Sequence, residues 1–349
     1  MSQHKCEAAS KKRPCVVTFG ELLLRLDPPS YERLVQADTF KARYTGAEAN
    51  VAVSLAGFGV DAYAVSKVPE HEIGQACVNF LRRYGVNTDF IARGGDCLGV
   101  LYVETGASQR PSKVIYDRNH SAIREVRAGE FDWERIFHGK QWFHFSGTAP
   151  ALGPNVLAAV NEALRAARRS GLKTSCDCNY RSKLWGPRKA GRVLSPLMEH
   201  VDVFIGGAED AEKIFGIAPP RGHADDERSR AEHTAQKLRE QFAFEWVAMT
   251  LRSGGSASAN GYAGLVCTAQ GCCFSRDYEI QIVDRVGAGD AFTAGLIFQI
   301  LRGADAPRVV EFAAAAACLK HSIPGDFNLV SVEEVEQLLE GGQSGRVQR

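Results

Sequence analysis

The sequence predicts an α/β protein: a mostly parallel central sheet covered by helices on both faces, with a small separate β-sheet beside it. Three observations carry that prediction. From about residue 140, strand and helix patterns alternate. Trp142–Ser146, Lys173–Asn179, Val201–Ile205 and Trp246–Leu251 are mostly apolar, as strands buried on both faces are. Pro154–Ser170, Pro187–Glu199, Ala208–Phe215 and Arg230–Phe242 fit helices between and after them. The second observation is Asp284-Arg285-Val286-Gly287-Ala288-Gly289-Asp290, a glycine-rich turn. It follows Tyr278–Val283, which alternates polar and apolar, and precedes Ala291–Leu301, an apolar stretch about three helical turns long. The third is a hairpin, Gly99–Glu104 and Ser112–Arg118, joined by a polar turn. With Leu22–Leu26 and Phe40–Tyr44, these strands supply the small second sheet.

Taken from the start, Met1–Pro14 is polar, carries Lys11, Lys12 and Arg13 with no apolar stretch behind them, and reads as a disordered tail rather than a signal peptide. Val16–Leu26 reads as one long strand stopped by Asp27-Pro28-Pro29. Ala47–Ala56 is rich in small residues and Val, which suits a helix packed closely on a sheet, with Gly46 at its entry. A loop then leads to the hairpin. Val309–Leu319 is an Ala-rich helix, Pro324-Gly325 marks a turn after it, and 340–349 reads as a C-terminal tail.

Composition narrows the function classes. A chain of 349 residues, 45% hydrophobic and 24% charged, is ordinary globular material and long enough for a full core. A formal net charge of +1 makes no electrostatic case for nucleic acid or a membrane surface as partner. Apolar runs fall short of the roughly 20 residues that span a bilayer. Ten cysteines occur without a Cys-x-x-Cys, Cys272 and Cys273 are adjacent, and Cys176 and Cys178 would share one face of a strand, so reduced thiols in a cytoplasmic protein are expected. The charged stretch Arg221–His233 reads as a solvated loop running into a helix rather than a metal site.

The chemistry concentrates at the glycine turn. Gly287 and Gly289 let the main chain approach an anion with no Cβ in the way, at a helix N-terminus that favours negative charge. Asp290 at the mouth of that anion hole is out of place unless it accepts a proton from an attacking hydroxyl; the plainer reading is an N-capping residue. Asp177-Cys178-Asn179-Tyr180-Arg181 lies just past a strand's C-terminal end, where open α/β sheets bind ligands. Arg181 there suits a planar, two-pronged bond to carboxylate or phosphate, with an Asx turn and a surface Arg as the plainer alternative. His321 reads as structural.

The glycine turn resembles the second signature of the ribokinase-like carbohydrate kinases, the PfkB family: Asp-Thr-x-Gly-Ala-Gly-Asp, with Arg285 in place of Thr. Gly46 and Asn50 match the family's first signature, Gly-Gly-x-x-x-Asn, while Thr45 stands where its first Gly is common. Asp177-x-Asn179-x-Arg181-x-x-Leu184-Trp185, Tyr116-Asp117-Arg118 and Lys320–Asn328 are similar to the branch that phosphorylates 2-keto-3-deoxygluconate. Thr250-Leu251-Arg252-Ser253-Gly254-Gly255 resembles the family's nucleotide loop. The family's Asn-x-x-Glu, which orders Mg²⁺, is here Gly206-Gly207-Ala208-Glu209-Asp210, without the Asn.

The resemblance implies a ribokinase-like three-layer sandwich over residues 15–339, with a β lid from about 20–45 and 97–120 that often also pairs subunits into a homodimer or higher oligomer. It implies ATP and Mg²⁺, and a small sugar acid as substrate. Asp290 is then the base, and the backbone of Gly287, Ala288 and Gly289 stabilises the transferred group. Gly46, Asn50, Tyr116, Arg118 and Arg181 hold the sugar. Asp177, Asn179, Thr250, Arg252, Gly254, Gly287, Gly289 and Asn328 lie along the nucleotide, and Glu209 (or Asp210) holds a metal-bound water. Two rivals stand beside this reading: a kinase for a neutral ketose such as fructose, and a catalytically silent sugar-binding homologue. A dehydrogenase would need a Gly-x-Gly-x-x-Gly after the first strand, which is absent.

Overall fold

A computed structural model of the chain describes residues 13–218, 227–254 and 256–341. Its strands are β1 (Cys15–Phe19), β2 (Leu23–Asp27), β3 (Lys41–Thr45), β4 (Asp61–Val68), β5 (Asn87–Arg93), β6 (Gly99–Glu104), β7 (Lys113–Asp117), β8 (Trp142–Ser146), β9 (Lys173–Asp177), β10 (Val203–Ile205), β11 (Trp246–Ser253), β12 (Ala259–Thr268), β13 (Gly271–Phe274) and β14 (Tyr278–Gln281). Among the described residues they form two sheets. The larger runs β13-β12-β11-β10-β9-β8-β1-β4-β5, with β14 also on β12. It is parallel from β11 through β5 and antiparallel at the β11–β14 end.

Alternation along the central strands explains the layering. Val17 and Phe19 of β1, with Phe143 and Phe145 of β8, enter a core closed by the helices Pro154–Arg169, Pro187–Met198 and Glu227–Phe242. Val16 and Trp142 enter the opposite core, closed by Ala47–Gly57, Ala288–Leu301 and Ala306–Lys320. Both faces are thus covered, which is why these strands read as continuous apolar runs. Among the described residues no helix is long and apolar enough to cross a membrane.

Three expectations need correction. The run Val16–Leu26 is two strands in two sheets, broken at Gly20-Glu21-Leu22. At the break, Gly20 lies so close to the Glu48 carboxyl group that a Cβ there would overlap it. The loop expected before the hairpin contains β4, the helix Glu72–Arg83 and β5, the last at the sheet's far edge with Phe90-Ile91-Ala92 between Asp89 and Arg93. Cys267 and Cys272 face each other across the β12–β13 hairpin as a disulfide, so the reduced-thiol expectation fails for that pair. Cys176 and Cys178 are buried free thiols of one core, as their spacing predicts. The two tails, Gly255 and 221–226 of the charged stretch lie wholly or mostly outside the described residues.

The smaller sheet runs β3-β2-β6-β7 and contains the four strands expected of it. β2 pairs with β6 in parallel and with β3 antiparallel, so Thr45, the last residue of β3, delivers the chain directly to the helix that begins at Ala47.

Candidate active site

The C-terminal ends of β1, β8 and β9 bring Gly20, Ser146 and Asp177 to one edge of the main sheet, as parallel α/β sheets do with their ligand sites. Two helices open onto this edge. Ala47–Gly57 is capped by Gly46, where a Cβ would overlap the Glu21 carbonyl oxygen. Ala288–Leu301 is capped by Gly287 in the left-handed region, at φ 84°. A side chain on Gly287 would also overlap the Asp326 backbone, whereas a Cβ on Gly289 meets nothing within 4 Å. Gly289 therefore looks onto open space beside the first amides of the helix, which have no intrahelical partner.

Asp290 sits in the first turn of that helix, half-buried. Asn50 Nδ2 donates to its Oδ2 at 2.6 Å. Burial pushes the Asp290 carboxyl up to about 8, with Asp177, Asp326 and Glu48 adding to the rise and Asn50 opposing it. Glu48 is buried beneath the same edge, where Ser146 N donates to its Oε1 at 3.0 Å and Ser146 Oγ at 2.5 Å. Burial raises it to about 7. Asp177 is raised by burial to about 6, with the Arg181 guanidinium opposing. The charges of Asp177, Asp326 and Glu48 thus all disfavour ionisation of Asp290, as suits a carboxylate poised to take a proton.

The remaining expected residues are distributed unevenly. Arg118 is only 9% exposed, bonded to Glu21 Oε2 at 3.0 Å and lying over the Tyr116 ring at 4.2 Å. Ser121 Oγ holds the other Glu21 oxygen at 2.6 Å. Arg181 is exposed, and its charge is felt at Asp177 and Asp210. Asp177 Oδ1 accepts from Asn179 N at 3.0 Å, so the local Asx turn is real, and Asn179 takes φ 38° to make it. Thr250, Arg252 and Gly254 lie on and just after β11, on the same side of the molecule as β9, with Arg252 over the Tyr262 ring.

Two residues sit differently from expectation. Glu209 is 76% exposed and pairs with Lys213 one turn along its helix, away from the carboxylate cluster. Asp210 is the acidic residue turned inward: burial raises it, and its charge is felt at Asp177. Asn328 is buried and donates to Ser54 Oγ at 2.9 Å, so its amide serves the packing of two segments rather than an open ligand face. His321 Nδ1 meets the Ala317 carbonyl at 2.6 Å, and burial depresses it to about 4, in keeping with a structural residue.

A buried ionic cluster underlies the glycine turn. Arg25 donates from Nε to Asp27 at 2.6 Å, from Nη2 to Asp284 at 2.7 Å, and from Nη1 to Asp326. Arg43 also pairs with Asp27, and Lys320 donates to the carbonyls of Asp284 and Ile323, both at 3.1 Å. Asp284 in turn accepts from Val286 N (3.0 Å) and Gly325 N (2.9 Å), which fixes the shape of the turn. Sequence reasoning passed over Arg25, Asp326, Glu48 and Glu21. Two of them carried a signal: a lone charge among strand leucines at Arg25 and a carboxylate within a helix of small residues at Glu48.

Comparison with known proteins decides the family. The profile described as pfkB family carbohydrate kinase matches residues 14–328. This chain belongs to that family. A 2-dehydro-3-deoxygalactonokinase of Haloferax volcanii is 32% identical over 335 residues, spanning 95% of this chain and 98% of that protein. The crystal structure of 2-dehydro-3-deoxygluconokinase from Thermotoga maritima is 48% identical, covers 94% of this chain and 99% of its own, and superposes with a TM-score of 0.91. A 2-dehydro-3-deoxygluconokinase of Bacillus subtilis is 29% identical over 91% of this chain and 93% of its own length. As a pfkB carbohydrate kinase, the chain is a phosphotransferase that acts on a sugar with ATP, and its ribokinase-like sandwich is the family's architecture. The catalytically silent homologue thereby loses ground to an enzyme.

Proposed function

We propose that this kinase transfers the γ-phosphoryl group of ATP to the primary hydroxyl of 2-keto-3-deoxygluconate, with Asp290 as general base. The observation that carries the chemistry is the placement of Asp290: a carboxylate held by Asn50 beside an open glycine turn at a helix N-terminus. In the reaction, Asp290 Oδ takes the hydroxyl proton as that oxygen attacks, and the amides that open the helix after Gly287 offset charge gathering on the phosphoryl oxygens. Arg118 and Arg181 hold the sugar carboxylate, while Gly46, Asn50 and Tyr116 orient the rest. The small sheet acts as a lid that keeps water, the competing nucleophile, from the phosphoryl group.

Hard oxygen donors suit Mg²⁺, which keeps several waters and needs only one or two carboxylates besides the nucleotide's phosphates. Asp210, inward-facing and raised by burial, fits that part and would hold the hydrated ion. When bound, the ion screens the phosphates and polarises the transferred group.

The substrate rests on the similarity to the Thermotoga maritima and Bacillus subtilis enzymes and on the pair of arginines. The Haloferax volcanii relative favours a second reading, the galacto epimer of the same keto-acid. Exposed Ile115 and Phe40, on or beside the strands of the lid, support pairing of two copies there. The reading as a whole places the enzyme in the cytoplasm. Initial rates with ATP and Mg²⁺ on 2-keto-3-deoxygluconate, its galacto epimer and fructose test the assignment. The gluconate should have the highest kcat/KM; a higher value for fructose would remove the acidic-sugar reading, and a higher value for the epimer would move it to the galactonate.

A further inference from the structure

Glu21 is a buried carboxylate that the chemistry described so far does not use, and both of its oxygens are occupied. Oε2 accepts from Arg118 Nη1 at 3.0 Å, and Oε1 accepts from Ser121 Oγ at 2.6 Å. Its backbone is tied to the active-site edge, because the Glu21 carbonyl oxygen packs so closely on Gly46 that a Cβ there would overlap it. Gly46 caps the helix that carries Asn50, whose amide reaches Asp290. Ser121 is fixed as well, beside Ala122, whose N–H donates to the Cys97 carbonyl at 2.8 Å. Gly99 closes the other side, where a Cβ would stand 2.7 Å from Arg118 Cβ and 3.2 Å from Glu21 Oε1.

A guanidinium carries five N–H donors in a rigid plane, so a partner on one edge decides where the other edge points. Glu21 takes one donor of Arg118, and the Tyr116 ring lies against the guanidinium face, 4.2 Å from ring centre to carbon. Nε and Nη2 of Arg118 have no hydrogen bond within the protein among the described residues, and neither is shut away from solvent. They form an edge that matches a carboxylate through two parallel bonds. We infer that Glu21 is a positioning residue for sugar binding: pinned by Ser121, it holds Arg118 by one edge and leaves the Nε–Nη2 edge for the substrate carboxylate. The inference rests on Arg118 as a residue that holds the sugar acid.

The neighbouring charges make this hold consequential. Arg124, from the short helix Ala122–Glu125, is felt at Glu21 and stands close enough to Arg118 for the two cations to oppose each other. Burial depresses Arg124 and Arg118 adds to the effect, while Glu21 counters both. Burial likewise pushes the Glu21 carboxyl up, with Arg118, Ser121 and Arg124 holding it down. Two cations thus share one carboxylate, and the positive charge left in excess is complementary to an anionic sugar. An arginine free to swing would lose rotamer freedom as the sugar binds; one already held by Glu21 has lost it on folding.

The test separates shape from charge, in the full chain with ATP and Mg²⁺. Glu21→Asp keeps the charge but is one methylene shorter, and with its backbone set against Gly46 it cannot span to both Ser121 and Arg118. Glu21→Gln loses the charge but keeps an oxygen for Arg118 at the original reach. Glu21→Asp should raise KM for 2-keto-3-deoxygluconate about tenfold, with KM for ATP within about twofold and kcat changed less than the sugar KM. Glu21→Gln should keep the sugar KM within about threefold of wild type. In an Arg118→Lys background, adding Glu21→Asp should alter the sugar KM by less than about twofold, because the planar edge it positions is already gone. A wild-type sugar KM for Glu21→Asp, or Glu21→Gln as impaired as Glu21→Asp, would overturn the inference. So would losses that multiply in the double variant, since Glu21 would then act on the sugar directly, and so would equal rises in both KM values, the mark of a general disturbance. Arg118→Lys alone separates the two levels. If it leaves the sugar KM at wild type, the assignment of Arg118 has failed; if it raises that KM while Glu21→Asp does not, only the role of Glu21 has.

Discussion

Gly287 and Asp326 are in backbone contact so close that a methyl group on Gly287 would overlap the Asp326 carbonyl oxygen, and Gly287 itself lies at φ 84°. Gly289, two residues on, has neither constraint. The two glycines of one motif are therefore glycine for different reasons, the first for the fold and the second for what approaches it. Gly287→Ala should lower stability by about 1–3 kcal/mol through strain at positive φ and the clash. Gly289→Val should melt near the wild-type temperature, yet lose turnover far more than sugar affinity, because its side chain fills the space the phosphoryl group needs. Thermal melts and steady-state kinetics on both variants check this; equal loss of turnover and sugar binding in Gly289→Val would mean misfolding instead.

Asp290→Asn should lower kcat by roughly 10²–10⁴-fold, the usual worth of a general base. It should also stabilise the protein. Folding raises this carboxyl to about 8, far above its unfolded value, so between the two the folded state binds the extra proton and stability falls as pH rises. The amide never has to ionise. The melting-temperature advantage of the variant should accordingly be small in acid and grow as pH climbs towards 8. An advantage that does not change with pH would mean that Asp290 is not held against ionisation.

The same raised carboxyl predicts the pH dependence of the enzyme. In free enzyme Asp290 gains its charge only as pH approaches about 8, so kcat/KM should rise with pH through that region and level off above it. A profile flat from neutral to alkaline pH would remove Asp290 as the titrating group. Glu48, near 7 and just below, is the group to examine in that event, through Glu48→Gln.

Much of this architecture is legible in the residues. Strands such as Trp142–Ser146 announce themselves because both faces are buried, and the glycine turn because its spacing has few other uses. The small sheet was legible strand by strand for the same local reasons. What the sequence hides is non-local. Arg25 looks like an interruption in a leucine strand until Asp284 and Asp326, 259 and 301 residues further along the chain, join its strand neighbour Asp27 around it. Glu209 and Asp210 are interchangeable on paper, and only the rotation of their helix sends one to solvent beside Lys213 and the other inward. Asn328 lies in a motif that looks like ligand contact, but its amide is spent on Ser54.

The substrate turns on two arginines that the structure treats differently. Arg118 is already engaged, with Glu21 at 3.0 Å and the Tyr116 ring beneath it, so its position is set before any sugar arrives. Arg181 is exposed on the loop after β9, within the fields of Asp177 and Asp210. A lysine at either site keeps the charge and loses the planar two-pronged geometry. Arg181→Lys should therefore cost about 10–150-fold in kcat/KM on 2-keto-3-deoxygluconate, the range for one charge-assisted bond, and much less on fructose, which has no carboxylate. Arg118→Lys should show the same preference for harming the acid, together with a lower melting temperature, because an ammonium fits the buried Glu21 site less well and loses the planar stacking on Tyr116. Each variant is assayed on both sugars, and the ratio of the two losses decides. If both variants weaken acid and ketose equally, the arginines serve the phosphates or the fold, and the acidic-sugar assignment falls while the kinase stands on Asp290 and its glycines.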